Sequence, residues 1–183
     1  IFVEHSAVCE SWTREETVSV GWIDYDLPRQ KPFLFGTMSA LRQTNTPCLV
    51  WGSDEKIYFA HKGDNWGSSF TLSVDPDCEA EDPSLFVNEN QVYVVWTEGD
   101  DDEGGYKLYF RKGTFDGSSV TWESAQDIGQ AGTDSRQPSL AFAGGNIYVI
   151  WTRFADADAP QTYTTSDIVF RKSSDGGTTW STT

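Results

Sequence analysis

Short stretches in which apolar and polar residues alternate follow one another along the whole chain, and clusters of turn-forming residues separate them. Alternation of this kind is typical of β-strands with one buried face. Windows with apolar residues every third or fourth position, which would favour an amphipathic helix, are hard to find. The pattern therefore predicts an all-β domain.

The strands form an internal repeat when they are aligned on their prolines. PSLFVNENQVYVVWTE, from Pro83, and PSLAFAGGNIYVIWTR, from Pro138, share a proline, a short apolar strand, a polar turn and a second strand that ends in Trp. A looser copy begins at Pro32 and reaches Trp51. The prolines lie 51 and 55 residues apart, which is close to the length of known four-stranded repeats.

A third strand follows each of these Trp residues, in KIYFAH (56–61), KLYFRK (107–112) and DIVFRK (167–172). We divide the chain into residues 1–24 (strands three and four of one unit), 25–75 and 76–128 (complete units) and 129–183 (a unit without its last strand). Four-stranded antiparallel repeats of this length predict β-propeller blades. About three blades are present, and a longer chain or another subunit is expected to supply the rest of the ring.

The turn after the last third strand has a distinctive sequence, SSDGGTTW. It matches the Asp-box pattern S-x-D-x-G-x-T-W at all five fixed positions, which are Ser173, Asp175, Gly177, Thr179 and Trp180. The preceding unit keeps Asp116 and Trp122, with an insertion between them. The chain thus resembles the bacterial-neuraminidase-repeat, or sialidase-like, β-propeller family.

The chemistry of this turn favours a structural role over catalysis. Asp175 can accept hydrogen bonds from turn N–H groups and a nearby hydroxyl, and Gly177 adopts backbone angles that other residues resist. We expect Trp180 to pack its indole against the next sheet. The resemblance implies that these turns lie on the face opposite the ligand site.

Three arginines are candidates for binding a carboxylate or a glycan. The resemblance implies that enzymes of the family hold the substrate carboxylate with three arginines and use a Tyr activated by a Glu as nucleophile, with an Asp as acid/base. Arg136, in SRQPSL, keeps the Arg-x-Pro of the family's arginine motif, Arg29 lies in a comparable link, and Arg153 lies just past a second strand. Tyr25, Tyr106 and Tyr163 lie on suitable loops, but the sequence identifies no Tyr–Glu pair.

The chain is strongly acidic, with 28 Asp and Glu against 13 Lys and Arg and a net charge of −15. This charge disfavours nucleic acid and anionic membranes as partners. Loops that do not repeat carry much of it, and Asp100, Asp102 and Glu103 offer the oxygen ligands that Ca²⁺ prefers. The alternative is a solvated acidic loop, because the EF-hand pattern is absent and the fold requires no cofactor.

Three further observations concern the environment of the chain. No apolar run approaches the roughly 18 residues of a membrane helix, so membrane insertion is not expected. Cys9, Cys48 and Cys78 lack the spacing of a zinc site, and they allow one disulfide without requiring it. The acidic, Lys-poor composition favours an extracellular or cell-surface location.

The sequence therefore predicts a non-catalytic extracellular binding or structural module. Its ligand, a glycan or a protein, would bind the face opposite the Asp-box turns. Two alternatives remain: an exo-acting glycoside hydrolase of the sialidase type and a subunit of an extracellular assembly.

Overall fold

The computed structural model describes residues 36–41, 46–64, 66–100, 105–155 and 166–182. All of them belong to one compact unit, Lys31–Thr183. The described residues form three antiparallel sheets and no helix, which confirms the predicted all-β class. None of them forms a helix that is long and apolar enough to cross a membrane. The predicted strands in residues 1–24 lie outside the described residues.

Each sheet is built from strands that are consecutive in the chain. Sheet 1 has the order β1 Gly36–Leu41, β2 Thr46–Ser53, β3 Lys56–His61 and β4 Phe70–Thr71. Sheet 2 has the order β5 Glu79–Asn88, β6 Gln91–Asp100, β7 Gly105–Phe115 and β8 Val120–Trp122, and β9 Gln126–Asp127 also pairs with β7. Sheet 3 has the order β10 Asp134–Ala143, β11 Asn146–Phe154 and β12 Ser166–Ser173.

Two-residue hairpins connect the first two strands of sheets 2 and 3. In sheet 3 the turn consists of Gly144 and Gly145, whose φ angles are +56° and +80°. Two-residue hairpin turns of this kind match the right-handed twist of the strands but require positive φ at both positions, which glycine adopts at low cost. The two glycines therefore set the register of β10 on β11.

Two hydrophobic cores lie between the sheets, and sheet 2 contributes one face to each. Val94 and Trp96 of β6 belong to the core shared with sheet 1, whereas Val95, between them, belongs to the core shared with sheet 3. Successive residues of a strand point to opposite faces, so the nearly continuous apolar run of β6 is explained by burial on both sides. The Trp of the second strand is the sixth residue of β2, β6 and β11 and is buried in each.

Trp122 and Trp180, which follow the third strands of sheets 2 and 3, pack on the preceding sheet, so our expectation that Trp180 contacts the next sheet is wrong. The ring of Trp180 meets Phe110 of sheet 2 edge to face, with centroids 5.0 Å apart. Trp122 makes the equivalent contact with Phe59 of sheet 1, at 4.9 Å. The third strand turns its aromatic residue toward the following sheet, and the indole from that sheet covers it.

The cysteines in the described part of the chain are free thiols. Cys48 is buried and Cys78 is partly exposed. Burial raises the pKa of the Cys48 thiol to about 12, so the group stays protonated and behaves as a small apolar side chain. Cys9 lies outside the described residues.

Candidate functional site

Two β-bulges at the start of sheets 2 and 3 position the polar side chains of the candidate site. The pairing register shifts between Glu81 and Ser84 in β5, and between Arg136 and Ser139 in β10. Asp82 and Gln137, at equivalent positions in these bulges, have φ angles of +53° and +54°. Bulges redirect side chains and are frequent near functional sites, and here each one directly precedes the proline of the repeat.

Arg136 makes two ion pairs at this bulge. Its Nε donates to both oxygens of Asp134, at 2.9 and 3.0 Å. One terminal nitrogen donates to Glu81 Oε1 at 2.9 Å, and the guanidinium carbon lies 3.6 Å from the centre of the Tyr106 ring. Only 16% of the side chain is exposed. The guanidinium therefore bridges sheets 2 and 3 and already pairs with two carboxylates of the chain.

Tyr106 completes this cluster, which we call the Arg136 network (Glu79, Glu81, Tyr106, Asp134 and Arg136). Its hydroxyl donates to Glu79 Oε2 at 2.8 Å, and its backbone N–H donates to Asp134 Oδ1 at 2.9 Å. The side chain is 1% exposed. Burial, followed by the hydrogen bond to Glu79, raises the pKa of Tyr106 well above its usual value.

The Tyr106–Glu79 contact is a Tyr–Glu pair that sequence reasoning missed. The two residues are 27 positions apart and belong to different strands of sheet 2. The available indication was modest: Tyr106 opens a third strand directly after the acidic loop, and Glu79 opens the first strand. Nothing in that pattern distinguished Tyr106 from Tyr25 or Tyr163, which lie outside the described residues.

Solvent reaches two carboxylates of the network: Glu79 is exposed, and 44% of the Glu81 side chain is exposed. Burial and then the neighbouring Asp82 carboxylate raise the pKa of Glu81, although Arg136 opposes this effect. The network thus brings together a neutral phenol, one cation and several carboxylates. This arrangement stabilises the junction of two sheets, but it offers an incoming anion no free guanidinium.

A second buried carboxylate, Glu98, holds the link between sheets 1 and 2. One of its oxygens accepts the Trp96 indole N–H at 2.7 Å, and the carboxylate also accepts the backbone N–H groups of Val74 and Asp75. Three N–H donors compensate the cost of burying this charge. Glu98 therefore fixes the path of the acidic link that leads into the Arg136 network.

Arg153 occupies the position in β11 that Glu98 occupies in β6, the eighth residue of the strand. Its guanidinium donates to Gln130 Oε1 and to Asp167 Oδ2, both at 2.7 Å. These partners differ from those of Arg136, so the two arginines share no carboxylate in the described structure. Arg29, the third predicted arginine, lies outside the described residues.

The structure describes one of the three predicted calcium ligands. Asp100 ends β6, whereas Asp102 and Glu103 lie outside the described residues. Within the ranges that the structure describes, no three His, Cys, Asp or Glu side chains are grouped so that they would hold a metal ion. Calcium binding at the 98–105 loop stays a prediction.

The Asp-box turn has the hydrogen bonds that its sequence predicts. Asp175 accepts from the Thr179 backbone N–H at 2.9 Å, from the Thr179 hydroxyl at 2.5 Å and from Ser173 Oγ at 2.8 Å. These bonds, with the Thr179 hydroxyl first, lower the pKa of Asp175 to about 2. Gly177 has φ +94°, and a Cβ there would lie 2.4 Å from a ring carbon of Phe110.

Asp116 plays the corresponding part in sheet 2, despite its divergent sequence. It accepts hydrogen bonds from Ser118 and Ser119, and their backbone N–H groups contribute most to lowering its pKa to about 2. Its turn follows the end of β7 at Phe115, whereas Tyr106 lies near the start of the same strand. At about 3.3 Å per residue, the turn and the Arg136 network lie at opposite ends of the sheet.

The sequence matches no model of a known protein family and no curated protein. The resemblance to the sialidase-like family therefore depends on the motif at Ser173–Trp180 and on the repeat.

Proposed function

We propose that the chain is part of a sialidase-like β-propeller and that sheets 1, 2 and 3 are successive blades. Two observations support this proposal. The strands of each sheet lie side by side in the order in which they follow one another in the chain, and consecutive sheets pack face to face. The Trp at the sixth position of every second strand, and the turn Trp that covers the preceding sheet, recur as repeat positions should.

We further propose that this propeller is a non-catalytic binding or structural module. The observation that carries this proposal is the state of Tyr106. A tyrosine nucleophile must be accessible and must be activated by a base, whereas Tyr106 is buried and its pKa is raised. Arg136, which would bind the substrate carboxylate, is already paired with Asp134 and Glu81.

The proposed ligand face is the end of the sheets that carries the Arg136 network and the acidic links. It lies opposite the Asp116 turn in sheet 2, and it exposes carboxylates such as Glu79 and Asp75. A surface of this charge suits a hydroxyl-rich glycan, a basic protein surface or a ligand bridged by Ca²⁺. We place the protein outside the cell or on its surface, in agreement with the acidic composition.

Ligand binding and turnover by the purified chain test this proposal together. We expect binding on a glycan array, or to a basic protein, and no hydrolysis of a fluorogenic sialoside. Glu79→Gln should weaken the binding, whereas Glu89→Gln, in the β5–β6 turn at the other end of sheet 2, should leave it unchanged. If Glu79→Gln leaves both glycan binding and binding to the basic protein unchanged, this face is not the binding face.

The alternative, a glycoside hydrolase of the sialidase type, is favoured by one observation: Tyr106 contacts both Glu79 and Arg136. In that case the chain hydrolyses the sialoside, and Tyr106→Phe and Arg136→Lys each abolish turnover. Lys107→Ala, which changes an exposed residue beside Tyr106, serves as the matched control and should retain activity. Turnover with this pattern would refute the non-catalytic proposal.

A further inference from the structure

Glu98 of sheet 2 shows what kind of group the buried indole N–H of the second-strand Trp binds. Its carboxylate accepts the Trp96 indole N–H at 2.7 Å and the Val74 backbone N–H at 2.9 Å. The Trp96 and Glu98 side chains are 0% and 2% exposed. In sheet 2 an anionic group of the chain itself therefore receives the buried donors beside the repeat Trp.

Sheet 3 carries a cation where sheet 2 carries this carboxylate. Arg153 follows Trp151 by two residues, at the position of Glu98 in β6. Ser135 lies directly opposite Arg153, as Ala80 lies opposite Glu98. Residues that pair across strands, and residues two apart on one strand, share a face of the sheet. This face of sheet 3 thus has a guanidinium in place of the carboxylate and a hydroxyl in place of a methyl group.

Two buried polar groups on this face have no hydrogen-bond partner among the described residues. They are the Trp151 indole N–H and the Ser135 hydroxyl, and each side chain is 1% exposed. Buried polar groups that stay unpaired destabilise a fold, and each one calls for an explanation. Because neither group bonds to the other, a third group that accepts from both would satisfy them.

Arg153 favours a negative charge on that third group. Its guanidinium donates to Gln130 Oε1 and to Asp167 Oδ2, which uses two of the five N–H donors of an arginine. The Arg153 side chain is 23% exposed, so this part of the interface borders on solvent. A positive charge beside two donors binds an anion more strongly than a neutral water molecule.

We propose that sheet 3 binds a small monovalent anion at Ser135, Trp151 and Arg153, which we call the Trp151 site. The Trp151 indole N–H and the Ser135 hydroxyl donate to the anion, and the Arg153 guanidinium compensates its charge. The anion thereby takes the part that the Glu98 carboxylate takes in sheet 2. Chloride and the carboxylate group of an organic ligand are two sources of this chemistry.

The acidity of the chain does not prevent such a site. The net charge of −15 disfavours anions at long range, but salt screens exposed charges beyond about 10 Å, so the groups in contact with the anion decide its binding. The Trp151 site shares no residue with the Arg136 network. Failure of the proposed glycan or protein binding therefore leaves this inference standing, and the reverse also holds.

Proton–nitrogen NMR of the indole N–H groups of the 183-residue chain tests the proposal. Sodium chloride or sodium acetate replaces sodium sulfate at constant ionic strength, and Trp151→Phe identifies the Trp151 signal. We expect this signal to shift to saturation with chloride, acetate or both, which also identifies the source, while the Trp96 signal stays in place. No saturable shift with either anion would overturn the proposal in favour of water. An equal shift of Trp96 would overturn it as a general salt effect.

Two substitutions test the composition of the site. Ser135→Ala and Arg153→Gln should each weaken the anion affinity by about tenfold or more, because each removes a donor to a charged group. Thr152→Val is the matched control, since Thr152 lies between Trp151 and Arg153 but points to the opposite face, and it should leave the affinity unchanged. Unchanged affinity in both site variants would contradict the proposal.

Arg153→Glu tests the comparison with sheet 2, because it supplies the acceptor from the chain itself. We expect the Trp151 signal of this variant to shift toward that of Trp96 and to stop responding to chloride and acetate. An unchanged Trp96 signal shows that each variant is folded. Undiminished anion binding by Arg153→Glu would refute the proposed site. A parent Trp151 signal that already matches Trp96 in sulfate alone would also refute it, in favour of an acceptor within the chain.

Discussion

Tyr106 donates its phenolic hydrogen to Glu79 at 2.8 Å while its own side chain is 1% exposed. This geometry places the pair of residue types that a sialidase uses in direct contact, yet solvent reaches only Glu79 and not the Tyr106 side chain. The raised pKa of Tyr106 follows from the same burial. The contact therefore acts as a hydrogen-bonded support for Arg136 and the junction of sheets 2 and 3.

Tyr106→Phe should make the protein more resistant to alkaline unfolding. The folded-state pKa of Tyr106 lies above the ordinary value of 10.0, so its stabilising effect is present below pH 10 and is lost as the pH rises above it. At pH 7 the variant loses one hydrogen bond, at a cost of about 1 kcal/mol. Thermal unfolding from pH 7 to pH 11 should show a smaller loss of stability in the variant. An unchanged alkaline slope would contradict this prediction.

Thr179→Val should raise the pKa of Asp175 without affecting Asp116. The Thr179 hydroxyl is the largest cause of the low pKa of Asp175, whereas Asp116 depends on Ser118 and Ser119. NMR titration of the side-chain carboxyl carbons should give about 2 for both groups in the parent protein. A normal pKa for Asp175 in the parent protein would refute the proposed hydrogen bonding.

The same two carboxylates make stability depend on acid pH. Their folded-state pKa values of about 2 lie below the ordinary value of 3.8, so their stabilising effect is present above about pH 4 and is lost as the pH falls toward 2. Asp175→Asn should reduce this acid dependence, as measured by the melting temperature between pH 2 and pH 6. Identical acid profiles would show that the turn carboxylate contributes nothing.

Trp96→Phe should destabilise the protein more than Trp151→Phe. Both residues are buried at the same position of the repeat, so the loss of ring volume is similar. The Trp96 indole N–H donates to the buried Glu98 carboxylate, whereas the Trp151 indole N–H has no partner in the described structure. The difference should be about 1–3 kcal/mol, measured by urea unfolding. Equal losses would mean that the Trp96–Glu98 bond adds no net stability.

Gly177→Ala should cost more stability than Gly117→Ala. Both glycines have positive φ, +94° and +106°, so each alanine variant loses about 1–2 kcal/mol for backbone conformation. Only at Gly177 would the new Cβ collide with the Phe110 ring, whereas nothing lies within 4 Å at Gly117. Chemical denaturation of both variants measures the difference. Equal costs would show that Phe110 moves aside without penalty.

The sequence predicted much of the local structure because that structure depends on nearby residues. The third strand predicted at 56–61 is β3, and the serine and threonine of the Asp box bind Asp175 within four positions. The site was less predictable. Arg136 was recognised from its motif, but its partner Glu81 is 55 positions away, and only the packing of two sheets shows that the guanidinium is already occupied.

Phe110 and Phe170 show what the sequence by itself determined and what the tertiary structure decided. The motifs KLYFRK and DIVFRK, with the alternation of faces along a strand, were enough to place both rings on the same face of equivalent strands. The motifs do not distinguish the surroundings of the two rings, yet Phe110 is buried and Phe170 is exposed. The physical reason is that burial depends on the sheet packed against the strand: sheet 3 covers Phe110, and no described residue covers Phe170.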